Sequence, residues 1–89
     1  MKFEWDKKKN LQNQKKHAIS FEEALPIFLD KHLALELDWD DEPRFAAIGR
    51  VGKKFHTLIY TVRNQKIRII SARRSRQDEE EKYGEVFGN

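Results

Sequence analysis

Residues 44–72 read RFAAIGRVGKKFHTLIYTVRNQKIRIISA, and this stretch decides the fold. It is rich in β-branched and aromatic residues, a composition typical of strands. Gly52-Lys53-Lys54 and Asn64-Gln65 divide it with short turns. The sequence therefore predicts an antiparallel strand meander over residues 44–51, 55–63 and 66–72.

Two helices are predicted on the N-terminal side of this meander. Asp6 is a candidate N-cap for a polar helix over residues 7–16. Ser20 and Glu23 have the spacing of a capping box, and the helix after them carries the apolar residues Phe21, Ala24, Leu25 and Phe28. Pro26 is expected to kink this second helix, because proline removes one helical hydrogen bond.

Shorter elements complete the pattern. Apolar and polar residues alternate over residues 3–5, which predicts a short N-terminal strand. The same alternation over residues 34–39 predicts another strand. Ser75 is expected to cap a final helix that runs toward Tyr83, with residues 84–89 as a loose tail. The fold class is therefore α+β: a short N-terminal strand, two helices, an antiparallel sheet meander and a C-terminal helix, with the helices on one face of the sheet.

Length and composition bound the class of protein. With 89 residues, of which 38% are hydrophobic and 37% charged, residues 1–89 are expected to form a single domain. There is no cysteine, the three histidines lie in different predicted elements, and no phosphate-binding glycine motif is present. We therefore expect no metal and no cofactor. No apolar run has the length of a membrane span, and the N-terminus lacks a signal peptide, so a cytoplasmic location with no membrane association is expected.

The charges are segregated along the chain. Residues 7–17 and 63–76 are basic without a single acid, whereas acids collect between residues 36 and 42 and between 78 and 85. A positive face of this kind favours polyanions such as RNA. The alternative, solvated charges scattered around the fold, is equally compatible with the sequence.

The last strand and its exit carry the groups suited to phosphate chemistry. Strand alternation would place Arg68, Ile70 and Ala72 on one face and Ile67, Ile69 and Ser71 on the other. Cleaving RNA without a metal requires a base, an acid and cations that stabilise the pentavalent phosphorane. Arginine suits the last task because its planar fork pairs with phosphate oxygens. The alternative is that these arginines are solvated or pair with Glu79 and Glu80.

Three blocks of residues resemble the BrnT toxin family in the right order. The first is Trp5-Asp6, Lys9, Asn13 and Lys16-His17, followed by Phe21-Glu22-Glu23-Ala24. The last is Arg68-Ile69-Ile70-Ser71-Ala72-Arg73-Arg74 with Glu79 and Tyr83, and Arg44 with Gly49 matches a weaker middle motif. Ala18 replaces the glycine usual after Lys-His, and Ser75-Arg76 replaces a small residue and threonine.

This resemblance implies a RelE-like α+β fold and an RNA-cleaving toxin that inhibits translation. It also implies a BrnA-like antitoxin with a ribbon-helix-helix DNA-binding part. Operator DNA would then be bound only through the complex of toxin and antitoxin. An antitoxin is expected to cover the basic face with acidic or aromatic contacts onto Arg68, Arg73 and Lys16. Two alternatives stay open: a non-enzymatic RNA- or ribosome-binding module, and an inactive toxin that serves as antitoxin partner in operon autorepression.

The candidate residues follow from the charge pattern and the resemblance together. His17, Glu79 and Tyr83 are candidates for moving protons, and the arginines for stabilising the phosphate. The candidate catalytic residues are Arg73, Arg68, His17, Tyr83, Arg74 and Glu79, and the candidate RNA-binding residues are Lys9, Lys16, Arg44, Arg63 and Arg76.

Overall fold

A computed structural model describes residues 2–38 and 40–88 as one five-stranded sheet with four helical segments. The predicted α+β class is confirmed. Trp39, which the sequence predicts at the end of an alternating strand, lies outside the described residues. The elements are β1 (Lys2–Glu4), α1 (Lys7–His17), α2 (Phe21–Ala24), α3 (Pro26–Leu29), β2 (Leu33–Leu37), β3 (Arg44–Val51), β4 (Lys54–Arg63), β5 (Lys66–Arg74) and α4 (Gln77–Phe87).

The sheet is antiparallel except at one edge. Its strand order is β1-β5-β4-β3-β2, and the predicted meander from β2 to β5 is antiparallel throughout. The N-terminal strand β1 instead runs parallel to β5, with Phe3 opposite Ile67. Local sequence patterns do not predict this pairing, because it joins the two ends of the chain. The RelE-like label stays a prediction.

The N-terminal helices begin where the capping residues predict. The Asp6 carboxylate accepts hydrogen bonds from the amides of Lys8 and Lys9, and both bonds of the Ser20–Glu23 capping box are present. At Pro26 the predicted single helix is divided into two. α2 ends at Ala24 and α3 begins at Pro26, because proline is favoured in the first turn of a helix, where no amide donor is needed.

The helices cover both faces of the sheet, so the prediction that they share one face is wrong. One face of the sheet is covered by apolar residues of α2 and α3 and by Ile19, which lies just before α2. α4 lies on the opposite face, where Tyr83 packs against Phe55 with ring centroids 4.9 Å apart. Phe55 and the buried Leu58 point to opposite faces because side chains alternate along a strand. The core on the face covered by α2 and α3 contains Ile19, Phe21, Ala24, Ile27, Ala47, Leu58, Ile67, Ile69 and Ala72.

The ends of α4 also differ from the prediction. Arg76, not Ser75, is the N-cap residue, because the Ser75 amide donates to the carbonyl of Phe55 and so continues the pairing of β5 with β4. Residues 84–87, predicted as part of a loose tail, continue the helix to Phe87. The Phe87 ring contacts Tyr83 at 4.8 Å between centroids, and this contact holds the last turn in place.

Ala18 has a left-handed backbone, with φ 58° and ψ 29°, which strains a residue that carries a Cβ. We expect Ala18→Gly to raise the free energy of unfolding by about 1 kcal/mol, or Tm by about 4–8 °C. Thermal and urea unfolding would measure this change. Lys15→Gly, in the last turn of the same helix, is the matched control and should lower stability instead. A lower Tm for Ala18→Gly would contradict the argument from strain.

Candidate active site

A β-bulge on β5 decides which side chains face the candidate site. Ile59 lies opposite Ser71 and Tyr60 lies opposite Ile69, so Ile70 is an extra residue with no partner on β4. The extra residue shifts the alternation, and Ala72 therefore joins Ile67 and Ile69 in the core. The predicted alternation is wrong beyond Ile69. Arg68, Ser71 and Arg73 point to the face opposite this core.

A groove of about 270 Å³ runs between α1 and β5. α1 supplies the basic wall with Lys9, Lys16 and His17, and β5 supplies the other wall with Ile70 and Ser71. Lys9 and Lys16 are exposed, so their charges are available to a ligand. We call this the α1–β5 groove, and its residues are Lys9, Gln12, Asn13, Lys16, His17, Ile70 and Ser71.

The side chain of Asn13 fixes the two walls of the groove together. Its amide nitrogen donates to the carbonyl of Ala72 at 2.8 Å, and its oxygen accepts from the Ala72 amide at 3.1 Å. The same amide nitrogen donates to the carbonyl of Ile19 at 2.9 Å. Asn13 thus pairs with β5 as a neighbouring strand would, beyond the point where β1 ends. These three bonds set the position of the basic face of α1 relative to β5.

Arg73 is held by a carboxylate on α4. Its two terminal nitrogens donate to the two Glu79 carboxylate oxygens at 2.8 and 3.0 Å. The side chains are only 19% and 12% exposed, so this pair is much less screened than one on the surface. The alternative that an arginine of this region pairs with Glu79 is therefore confirmed for Arg73. The pair fixes the direction of the guanidinium, and the carboxylate offsets part of its charge.

Glu79 is ionised at neutral pH. Burial by itself raises the pKa of its carboxyl, but hydrogen bonds from the Arg73 guanidinium, the Arg76 amide and the Thr57 hydroxyl outweigh that effect. Together they lower the pKa to about 2. Glu79 therefore carries no proton to donate at neutral pH, and its observed role is to orient Arg73 and to begin α4.

His17 lies at the end of the groove nearest Arg73. Burial lowers the pKa of its imidazole, and the positive charges of Lys16 and Arg73 lower it further. The ring is therefore largely neutral at pH 7, which is the state that accepts a proton. His17 and Arg73 bring a proton acceptor and a fixed cation to the same end of the groove.

Arg68 lies at the other end of β5, about 13 Å along the strand from Arg73, since their partners on β4 are Thr61 and Thr57. It donates to Glu4 at 3.2 Å and its charge helps to lower the pKa of Asp6, the N-cap of α1. The predicted RNA-binding residue Arg63 belongs to this distant end, where it makes two hydrogen bonds to Glu42 at 2.8 and 3.0 Å. Arg44 lies nearby, since its charge also acts on Glu42. The structure does not bring Arg44 and Arg63 to the α1–β5 groove.

Three further predicted residues lie outside the groove. Tyr83 shares the sheet-facing side of α4 with Glu79, but it is only 4% exposed and packs between Phe55 and Phe87. Arg74 points to the face opposite Arg73, beside His56 in the register of the sheet. Arg76 is exposed at the start of α4, where its amide donates to Glu79.

Sequence reasoning missed Ser71, Gln12 and Thr57 as parts of this region. Ser71 lines the groove because of the bulge, which no local pattern signals. Thr57 donates to Glu79 at 3.0 Å and bonds the Ser75 hydroxyl at 2.8 Å. Its alternation with Phe55 and Ile59 places it on this face of the sheet, but nothing in the sequence indicates that Glu79 would reach it.

The described part of the chain lacks two kinds of feature. No group of three His, Asp or Glu residues within residues 2–38 and 40–88 is arranged to hold a metal ion. Of the helices described, none is both long enough and apolar enough to cross a membrane.

Comparison with known proteins identifies the family. Residues 5–79 match the model of the family described as "Ribonuclease toxin, BrnT, of type II toxin-antitoxin system". The structure of the ribonuclease toxin BrnT of Brucella abortus is similar, with a TM-score of 0.66 and 28% sequence identity over 86% of this chain and 99% of that chain. No curated protein matches. The matched segment spans most of the chain and contains the whole α1–β5 groove, so the chain belongs to the BrnT family of ribonuclease toxins of type II toxin–antitoxin systems.

Proposed function

We propose that the chain is a metal-independent endoribonuclease whose active site is the end of the α1–β5 groove between His17 and Arg73. The observation that carries this proposal is the position of His17, which lines the groove close enough to Arg73 for that charge to lower its pKa, beside a guanidinium that Glu79 holds by two hydrogen bonds. A base and a preorganised cation are the two groups that internal cleavage of RNA needs most. Family membership supports ribonuclease activity.

In the proposed reaction the 2′-hydroxyl oxygen of RNA attacks the adjacent phosphorus. His17 takes the hydroxyl proton, and Arg73 and Lys16 stabilise the negative charge of the phosphorane. The bond from phosphorus to the 5′-oxygen breaks, and water protonates that oxygen. The products are a 2′,3′-cyclic phosphate and a free 5′-hydroxyl end. Lys9 and Arg68 lie farther along α1 and β5 and hold the RNA backbone.

The proposed partner is a BrnA-like antitoxin with a ribbon-helix-helix part, acting in the cytoplasm. Type II family membership supports a protein antitoxin. We place its acidic or aromatic contacts over Arg68, Arg73 and Lys16, where they would block the groove. Operator DNA would be bound only through the complex.

The test is RNA cleavage by the purified chain with and without EDTA. Cleavage that persists in EDTA and leaves 2′,3′-cyclic phosphate ends is expected. Cleavage that EDTA abolishes would contradict the metal-independent mechanism. A folded chain that binds RNA without cleaving it would be a non-enzymatic binding module, and one that does neither would be a regulatory partner of the antitoxin.

The pH dependence of cleavage tests the role of His17. The neutral imidazole is the active form, and its pKa is lowered, so the acidic limb of the rate profile is expected below about pH 6.5. Lys16→Gln removes one of the charges that lower this pKa, so the limb should move to higher pH. Lys82→Gln, an exposed lysine on α4, is the control. An acidic limb that stays in place in Lys16→Gln would assign the proton to another group.

A further inference from the structure

A second basic surface lies around the end of β5, outside the α1–β5 groove. The exposed residues Lys53, Lys54 and Arg74 form it, and we call it the hairpin ridge. Arg74 lies opposite His56, and Lys54 lies two residues before His56 on the neighbouring strand β4. Side chains at these alternate positions share one face of the sheet. Lys54 and Arg74 therefore lie diagonally across the two strands, and each is a neighbour of His56.

Two charges of the ridge act on the same buried histidine, and none of the ridge residues has an ion-pair partner in the described part of the chain. His56 is buried, and its pKa is lowered by burial and also by the charges of Arg74 and Lys54, while a hydrogen bond to the Lys54 carbonyl opposes this. No ion pair found within residues 2–38 and 40–88 includes Lys53, Lys54 or Arg74. By contrast, the distant arginines Arg63 and Arg68 each have a carboxylate partner.

The ridge is continuous with the groove through consecutive residues of one strand. Arg73 and Arg74 are adjacent on β5 and point to opposite faces, so the strand end presents a guanidinium to each side. Gly52 has φ +64°, and a Cβ added to it would meet no atom within 4 Å beyond its chain neighbours. Gly52, Lys53 and Lys54 are all exposed, so the hairpin tip is open to solvent. A flexible polyanion that follows β5 out of the groove would pass from the face of Arg73 to the opposite face to reach Arg74 and the two lysines.

We propose that the hairpin ridge binds the backbone phosphates of single-stranded RNA beyond the nucleotides held in the α1–β5 groove. This inference rests on the proposed function, and it adds a second binding segment that makes long RNA a better ligand than short RNA. Unpaired lysine and arginine charges bind phosphates chiefly by releasing counterions, so the contribution is independent of base sequence and sensitive to salt.

The test compares two fully 2′-O-methylated RNAs, which lack the attacking hydroxyl, of about four and about twelve nucleotides. Affinities would be measured by fluorescence anisotropy over a range of salt. Lys53→Gln/Lys54→Gln is expected to weaken binding of the long RNA roughly tenfold at about 0.1 M salt, and to reduce the salt slope by about 1.4. Binding of the short RNA should not change. Arg74→Gln is the second ridge variant and should act in the same direction.

Lys2→Gln/Lys82→Gln removes the same charge from exposed positions on β1 and α4 and is the matched control. Ridge variants that bind the long RNA as tightly as this control would overturn the proposal. A ridge variant that loses affinity for the antitoxin but not for RNA would also overturn the proposal, since the ridge would then be a protein interface.

Cleavage of unmodified RNA by the wild-type chain is measured as a separate experiment. Length-dependent binding without cleavage refutes the proposed enzyme and leaves the ridge intact, whereas a wild-type chain that binds neither RNA refutes both.

Discussion

Arg73→Ala is expected to lower the rate of RNA cleavage by about 10²–10³-fold, the typical effect of removing one preorganised donor from a developing oxyanion. The guanidinium is held by two hydrogen bonds to Glu79, so its direction is fixed before the substrate binds. A fixed cation stabilises the phosphorane without reorganising during the reaction. Single-turnover rates at saturating RNA would measure the loss in the chemical step rather than in binding.

A control variant separates catalysis from folding in this experiment. Arg73→Ala leaves the Glu79 carboxylate, only 12% exposed, without its cation, and this is expected to destabilise the protein as well. Arg73→Lys keeps a charge but loses the two-point geometry, and it should retain the fold with a reduced rate. Wild-type rates in a folded Arg73→Ala protein would place the chemistry elsewhere.

Asn13→Ala is expected to lower the free energy of unfolding by about 3 kcal/mol, the largest effect on stability that we predict for one side chain. The substitution removes three hydrogen bonds and leaves the amide and carbonyl of Ala72 and the carbonyl of Ile19 without this partner in a buried place. It also leaves a cavity at a residue that is only 7% exposed. Urea unfolding followed by circular dichroism would measure the change.

Gln14→Ala is the matched control for Asn13→Ala. Gln14 is the next residue on α1 but is exposed, so its loss should change stability by less than about 0.5 kcal/mol. Equal unfolding midpoints for the two variants would show that the Asn13 contacts do not hold α1 on the sheet.

Local patterns predict most of the elements. The meander from β3 to β5 follows from its composition and turns, and Asp6 and Ser20 begin helices where their capping geometry predicts. For α4 the local pattern predicts a cap one residue too early. Ser75 has the side chain of a good cap, but its amide continues the sheet to Phe55, and tertiary pairing overrides the local preference.

The arrangement of the site is harder to predict. One unpaired residue, Ile70, moves Ser71 and Ala72 to faces opposite to those that simple alternation gives. The two charge runs contain the basic residues, but which of them meet depends on the parallel pairing of β1 with β5 and on Asn13. Those contacts join distant parts of the chain, so no short stretch of sequence contains both partners. Charge runs alone therefore group Arg63 with Arg73, although the fold separates them.

The bonds that close the α1–β5 groove also determine when it can exist. Asn13 and Ala72 are 59 residues apart, and Glu4 and Arg68 are 64 apart. During synthesis α1 emerges long before β5, so the basic helix cannot make its contacts with β5 until residues 66–74 have been made. A growing chain that has not yet reached β5 thus has no assembled α1–β5 groove. The proposed ribonuclease activity would therefore begin only after β5 has been made, and a cell that makes the antitoxin at the same time would have that interval in which to complete it.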